Sequence, residues 1–418
     1  MTIMPVHVGA FLSLSHTNII MSPPWPPELA PHAQTVERIK GVLLGAVRKS
    51  WEQGAAANAI LELEYPELSL FGDPSVSSSG VVPWEVLQLA LSAVYLQGED
   101  GRLSQKIGSG TDGAALDGAS AGIAVLIGTR TESSRKDFWQ TAADAQLTYI
   151  LNTAPRLKSG AISHRANERE YWSDAIYMGP PFLAFSALLN SDHDVSLARL
   201  AIEQCRLYRA ALRSEESGTW RHIFSDDVDA FRDNGCWATG NAWAALGMVL
   251  VRRAVEVSSF RTQFEEECKD LGTWTREILD GALQVVVCTS LLLQNTSQLT
   301  VTHIQTLDDL IPNYLEAPPS GTAAFSDAAS SAGLVACAYR CATFWPDEYP
   351  AYPGRLIARV RDAVIRGVDA MGLMSPVVDP LGITPGDVGL LSPEAQAFGI
   401  MMFAAWRDFV VVRGSVVE

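Results

Sequence analysis

The sequence predicts an all-α protein in which six helical hairpins close into an (α/α)6 barrel. Three observations predict it: a helical apolar period in most segments, the absence of paired β-rich runs, and a weak sixfold internal repeat. Val36, Ile39, Leu43 and Val47 make one apolar stripe, with Glu37, Arg38 and Lys40 opposite. Ile357, Val360, Val364, Val368 and Met371 make another, which Arg355, Arg359 and Arg366 avoid. Both follow the 3.6-residue repeat of a helix and not the alternation of a strand. Turn-rich breaks at Phe71 to Gly80, Gly98 to Gly113, Ser214 to Gly218, Pro312 to Gly321 and Ser375 to Gly386 separate such segments. No two β-rich runs flank an Asn-Gly turn.

The repeat fixes the architecture. Six times a short polar or aromatic cluster opens an apolar helix rich in small residues. The openings are Trp51-Glu52-Gln53-Gly54, Leu116-Asp117-Gly118, Trp172-Ser173-Asp174, Trp237-Ala238-Thr239-Gly240-Asn241, Asp327-Ala328-Ala329-Ser330-Ser331 and Ser392-Pro393-Glu394. Their spacing, roughly 55 to 95 residues, leaves room for one returning helix each time. Small residues let the inner helices crowd around an axis. If all six start at one end, their free N–H groups and dipoles converge on a funnel suited to an anionic ligand. Ser330, Ser331 and Ser392 read as simple caps. Trp172 and Trp237 do not, because tryptophan offers no cap.

Composition bounds the rest. Of 418 residues, 48% are hydrophobic and 19% charged, a core-forming balance. We read residues 1–30 as a poorly ordered leader and 31–418 as a single catalytic barrel. A net charge of −16 disfavours nucleic acid as a partner. No run reaches about 18 unbroken apolar residues, so no membrane partner is expected. The Val8 to Leu14 run lacks a basic start and makes a poor signal peptide, which favours the cytoplasm over secretion. Oligomeric state is left open.

Several patterns are decoys. Gly108-Ser109-Gly110-Thr111-Asp112-Gly113 has dinucleotide-loop spacing but no buried strand before it. Gly118-Ala119-Ser120-Ala121-Gly122 has nucleophile-elbow spacing, again without a strand, and the last histidine is His303. We read its glycines as close helix packing. Cys337 and Cys341, four apart on a helix, read as free core thiols. The Asn295-Thr296-Ser297 sequon is a common chance match. No zinc-ligand spacing occurs among the histidines and cysteines, and no cofactor is expected.

The segment that looks chemical is Ser163-His164-Arg165 followed by Tyr171-Trp172-Ser173-Asp174-Ala175-Ile176-Tyr177-Met178-Gly179-Pro180-Pro181-Phe182-Leu183-Ala184. A carboxylate just inside an apolar helix, near Trp172 and Tyr177, is poorly solvated, which raises its pKa and suits a general acid. Read alone, Asp174 would pass for a first-turn carboxylate favoured by the helix dipole.

The segment resembles the active-site stretch of glycoside hydrolase family 105, the unsaturated rhamnogalacturonyl hydrolases, relatives of the family 88 unsaturated glucuronyl hydrolases. Trp172, Asp174, Met178, Pro181, Phe182, Leu183 and Ala184 fit its pattern. So do Trp220-Arg221-His222 and Trp237-Ala238-Thr239-Gly240-Asn241-Ala242-Trp243 further on. Asp117 stands where a second aspartate is expected. Trp51-Glu52-Gln53-Gly54 resembles the first inner helix, and Leu391 to Phe398 the last hairpin.

The resemblance implies a six-hairpin barrel without metal or organic cofactor, acting on an oligosaccharide. The substrate would carry a C4=C5 double bond in its terminal uronic acid. Asp174 would protonate the vinyl ether, water would add at C5, and the hemiketal would collapse. Asp117 would hold a sugar hydroxyl or orient the water. Gln53, His164, Arg165, Trp172, His222, Thr239 and Trp243 would line the sugar site. Thr239 stands in place of an arginine, so Arg165 or Arg221 would have to supply a cation for the uronate. Two rivals are a repurposed barrel that only binds a carbohydrate or small molecule, and a serine hydrolase using Ser120.

Overall fold

The computed structural model describes residues 25–72, 80–105, 113–189, 195–295, 309–352, 354–379 and 386–416, apart from the side chains of 288–295 and 415–416. Most of the 1–30 leader, Lys106 to Asp112, the sequon's Thr296 and Ser297, His303 and the side chain of Cys288 lie outside the described residues. The described part of the leader buries Leu29.

The expected helices form as six pairs. The outer members are α1 (Ala33–Ala46), α3 (Trp84–Tyr95), α5 (Lys136–Asn152), α8 (Val195–Leu212), α10 (Glu265–Asn295) and α12 (Arg355–Arg366). The inner members are α2 (Ser50–Glu64), α4 (Gly122–Thr131), the pair α6 (Ala175–Met178) and α7 (Pro180–Leu189), α9 (Ala238–Glu256), α11 (Ala328–Phe344) and α13 (Pro393–Val416). A 3-10 turn, Asp117–Ala121, leads into α4. Inner packing runs α2, α4, α7, α9, α11, α13 and back to α2, a closed ring. Each of the six sequence openings falls at the start of one inner element.

The two layers differ as a double-walled barrel requires. The outer α1 buries only Val36, Ile39 and Leu43, and α12 only Ile357, Val360, Ala363 and Val364. The predicted α12 stripe runs too far: the helix stops at Arg366, and Met371 is exposed. The inner α2 and α11 bury nearly every residue. Crowding at the axis demands small residues. A Cβ at Gly247 of α9 would lie 2.3 Å from the Ile176 carbonyl oxygen of α6. The elbow-like glycines pack in the same way: a Cβ at Gly118 would lie 2.3 Å from the Leu103 carbonyl oxygen, and one at Gly122 2.4 Å from the Phe182 ring. By length and composition α13 could cross a membrane, yet it is an inner barrel helix packed on α11 and α2. Cys205, Cys236, Cys268, Cys337 and Cys341 are buried free thiols.

Two small sheets interrupt the helical pattern. β1 (Glu170–Trp172), β2 (Ile223–Ser225) and β3 (Ala230–Asp233) form an antiparallel sheet, and β4 (Val377–Val378) pairs with β5 (Val388–Gly389). The β2–β3 hairpin has no Asn-Gly turn. It closes through Asp226 to Asp229, with Asp229 at φ 53°. Aspartate tolerates that left-handed conformation better than most residues, and so the hairpin left no familiar mark in the sequence.

Candidate active site

Backbone links between distant segments assemble the site. Ala115 N–H donates to the His164 carbonyl at 2.6 Å, and His164 N–H to the Glu170 carbonyl at 2.9 Å. These bonds hold His164 between Asp117 and β1. Ser173 N–H donates to the His222 carbonyl at 3.0 Å, and Trp172 pairs in register with Ile223. The three-stranded sheet therefore sets Trp172, His222 and Asp233 side by side at the start of α6.

His164 is the hub. Its Nε2 lies 3.5 Å from Asp117 Oδ1 and 3.9 Å from Asp174 Oδ2. Its ring lies against Trp172, with centroids 5.1 Å apart. Asp174 occupies the N-cap position of α6, and Tyr177 N–H donates to its carbonyl. The Asp174 Oδ1 atom has no hydrogen-bond partner among the described residues, and its side chain is 14% exposed. Trp172 is a fixed wall. Its indole N–H donates to Glu170 at 2.8 Å, and Glu170 is ion-paired to Arg232. The Arg165 guanidinium lies 5.8 Å from the Trp172 ring.

His222 forms the next part of the wall. Its ring meets Trp237 at 4.5 Å and the edge of Trp172 at 5.5 Å. Its Nδ1 lies 2.8 Å from Asp233 Oδ2. Burial alone would push the Asp233 carboxyl up. The hydrogen bonds from His222, the Gly235 N–H and the Tyr314 hydroxyl outweigh it and hold the carboxyl below its usual range.

Buried carboxylates gather beneath. Burial pushes the Glu394 carboxyl up to about 8, and the Asp327, Asp174 and Glu52 carboxylates push the same way, against a hydrogen bond from Trp243. Glu394, Asp327, Asp174 and Glu52 stand at the starts of α13, α11, α6 and α2, inner elements of the closed ring.

Three predicted site residues are engaged elsewhere. The Gln53 amide donates to Ser92 at 2.9 Å and accepts from Ser104, so it ties α2 to the outer layer. Thr239 is fully buried, and its hydroxyl donates to Asp327 at 2.9 Å. Trp243 is 1% exposed, packed between Tyr177 and Phe398. Arg221 lies over the Phe231 ring, 5.3 Å from its centroid. The cap of α11 is Asp327, not Ser330 or Ser331, whose hydroxyls donate to the Asp327 carbonyl; Ser392 does cap α13. Ser120 donates to the Asp117 carbonyl at 2.6 Å. Sequence reasoning missed Asp233 and Glu170 altogether, and noted Glu394 and Trp237 only as members of helix openings.

Among the described residues, no group of three or more His, Cys, Asp or Glu side chains could hold a metal ion. A groove of about 880 Å³ is lined by residues of α4, α5, α7 and α8, Arg130, Lys136 and Gln140 among them, and shares no residue with the His164 cluster.

Comparison with known proteins agrees with the geometry. Residues 96–278, which carry Asp117, His164, Asp174, His222 and Asp233, match the model of Glycosyl Hydrolase Family 88. The chain is a glycosidase, and over that stretch it is similar to family 88. The barrel is similar to that of a possible member of glycoside hydrolase family 105 from Salmonella enterica serovar Paratyphi A, at 12% identity and a TM-score of 0.65, over 97% of this chain and 100% of that one. It is similar to a family 88 glycosyl hydrolase from Bacteroides vulgatus, at 13% identity and a TM-score of 0.54, over 90% and 98%. It is also similar to an α-1,6-mannanase from Salegentibacter, at 13% identity and a TM-score of 0.53, over 91% and 99%. At such identities the likeness speaks for the fold. No curated protein matches by sequence.

Proposed function

We propose that the protein hydrolyses oligosaccharides ending in an unsaturated uronic acid, and that Asp174 is its proton donor. The favoured substrate is a short rhamnogalacturonan fragment with an unsaturated galacturonyl end. The observation that carries the reading is Asp174 itself: a partly exposed carboxyl beside His164, with one oxygen unpartnered among the described residues.

The chemistry follows from that placement. The Asp174 carboxyl gives its proton to C4, and positive charge develops at C5, shared with the ring oxygen. Water attacks C5 and returns a proton to the Asp174 carboxylate, so one group serves as acid and then base. The C5 hemiketal opens to a ketone, leaving a hemiacetal at C1 that expels the remaining sugar. One water is consumed and the double bond is lost. Asp117, across His164, holds a hydroxyl or orients the water. Arg165, at the Trp172 face, offers a guanidinium to the uronate carboxylate. No metal or organic cofactor enters these steps.

Incubation with lyase-digested pectin tests the reading through loss of the double bond's absorbance. Absorbance should fall as unsaturated uronic acid is released. Constant absorbance across pectin, heparin-type and alginate digests would reject it.

A further inference from the structure

We propose that Asp233 is a positioning residue that fixes His222 with its Nε2 lone pair turned toward the substrate, so that His222 accepts a hydrogen bond from a sugar hydroxyl. The inference rests on the reading of this site as a sugar site and adds a role to it.

The geometry leaves His222 little freedom. A carboxylate only accepts hydrogen bonds, so an imidazole nitrogen 2.8 Å from Asp233 Oδ2 must carry the proton. In the neutral ring the other nitrogen, Nε2, is then an acceptor. Asp233 is itself held on both oxygens. Gly235 N–H donates to Oδ1 at 2.9 Å, and Tyr314 O–H to Oδ2 at 3.1 Å. Backbone bonds hold His222 as well, since His222 N–H donates to the Gly235 carbonyl at 2.9 Å. Trp237 and Trp172 contact the ring and restrict its rotation.

The remaining atom points to a ligand. His222 is 4% exposed, and its Nε2 is buried with no hydrogen-bond partner among the described residues. A buried acceptor left unpaired is costly, and a bound hydroxyl would satisfy it. The indole N–H of neighbouring Trp237 is likewise without a partner among the described residues. An acceptor and a donor side by side on one wall match a hydroxyl, which both gives and takes a hydrogen bond.

The test combines nitrogen-15 NMR of the histidine tautomer with kinetics, on the parent and on Asp233→Asn. In the parent, His222 should carry its proton on Nδ1, and its Nε2 signal should shift when unsaturated digalacturonate is added. In Asp233→Asn the amide can donate to Nδ1, so the proton should move to Nε2. KM for the digalacturonate should then rise about tenfold, the loss of one neutral hydrogen bond to the hydroxyl, with kcat changing less. Asp233→Glu, which keeps the acceptor, should retain the parent tautomer. A parent His222 protonated on Nε2, or an unchanged tautomer and KM in Asp233→Asn, would overturn the proposal. If the parent neither binds nor cleaves the digalacturonate, the functional reading and the hydroxyl contact fall together, while the tautomer still decides whether Asp233 fixes the ring.

Discussion

Replacing Glu394 with glutamine should make the barrel less sensitive to alkali. Glu394 lies in the first turn of α13, 3% exposed, with Oε1 unpartnered among the described residues. Burial and three neighbouring carboxylates raise its carboxyl from the ordinary 4.5 to about 8. The folded value exceeds the unfolded one. The contribution of the neutral acid to stability is therefore full below about pH 4.5 and is lost as pH rises through about 8. Each pH unit of that rise is worth about 1.4 kcal/mol, so the whole loss is on the order of a few kcal/mol. Glutamine keeps the shape and never ionises. Thermal unfolding followed from about pH 5 to pH 8 reads the difference. The two proteins should melt close together at the acid end, and the variant should pull ahead steadily with pH. Parallel curves would refute the reasoning, because they would mean that Glu394 titrates normally in the fold.

Three further substitutions probe the same frame. Gly247→Ala would force a Cβ to 2.3 Å from the Ile176 carbonyl oxygen, in the backbone just past Asp174; overpacking of about 1–3 kcal/mol should exceed the roughly 1 kcal/mol gained in helix propensity, lowering both melting temperature and kcat. Thr239→Arg would press a long cation into a fully buried position against Asp327; it should destabilise by about 1–3 kcal/mol without improving KM for unsaturated uronides, and a stable variant with altered substrate preference would show that this position reaches the site. Ser120→Ala should leave kcat and KM near parental and cost about 1 kcal/mol for the lost bond to Asp117, as melting will show.

Sequence and structure meet where the signal is periodic or local. All six inner elements start at the clusters that the sequence displays, because aromatic and polar residues break the apolar run where each chain segment turns inward. Asp117, His164, Arg165, Trp172, Asp174 and His222 come together as expected. Gln53, Thr239 and Trp243 do not join them, for a common reason. An inner helix such as α2 or α9 is buried on nearly every side, so hydrophobic periodicity cannot separate the face toward the sugar from the face toward a neighbouring helix. Asp233 and Glu170 were missed because they act through tertiary contacts. Nothing in a polar hairpin reveals that one aspartate meets a histidine eleven residues away. Glu394 resembles an ordinary first-turn acid, and only its burial among other carboxylates sets it apart.

The measurement that tests the account most directly is the position of isotope in the product of hydrolysis in heavy water. Protonation of the C4=C5 bond by Asp174 places one deuterium on a single face of C4, visible by NMR at early times. Hydrolysis by two carboxylates acting at C1 would leave C4 unlabelled. The account predicts stereospecific C4 label in the parent, and a rate lowered by at least about 10²- to 10⁴-fold in Asp174→Asn, which keeps the shape but cannot deliver the proton. Product without C4 deuterium, or full activity in a folded Asp174→Asn, would contradict it.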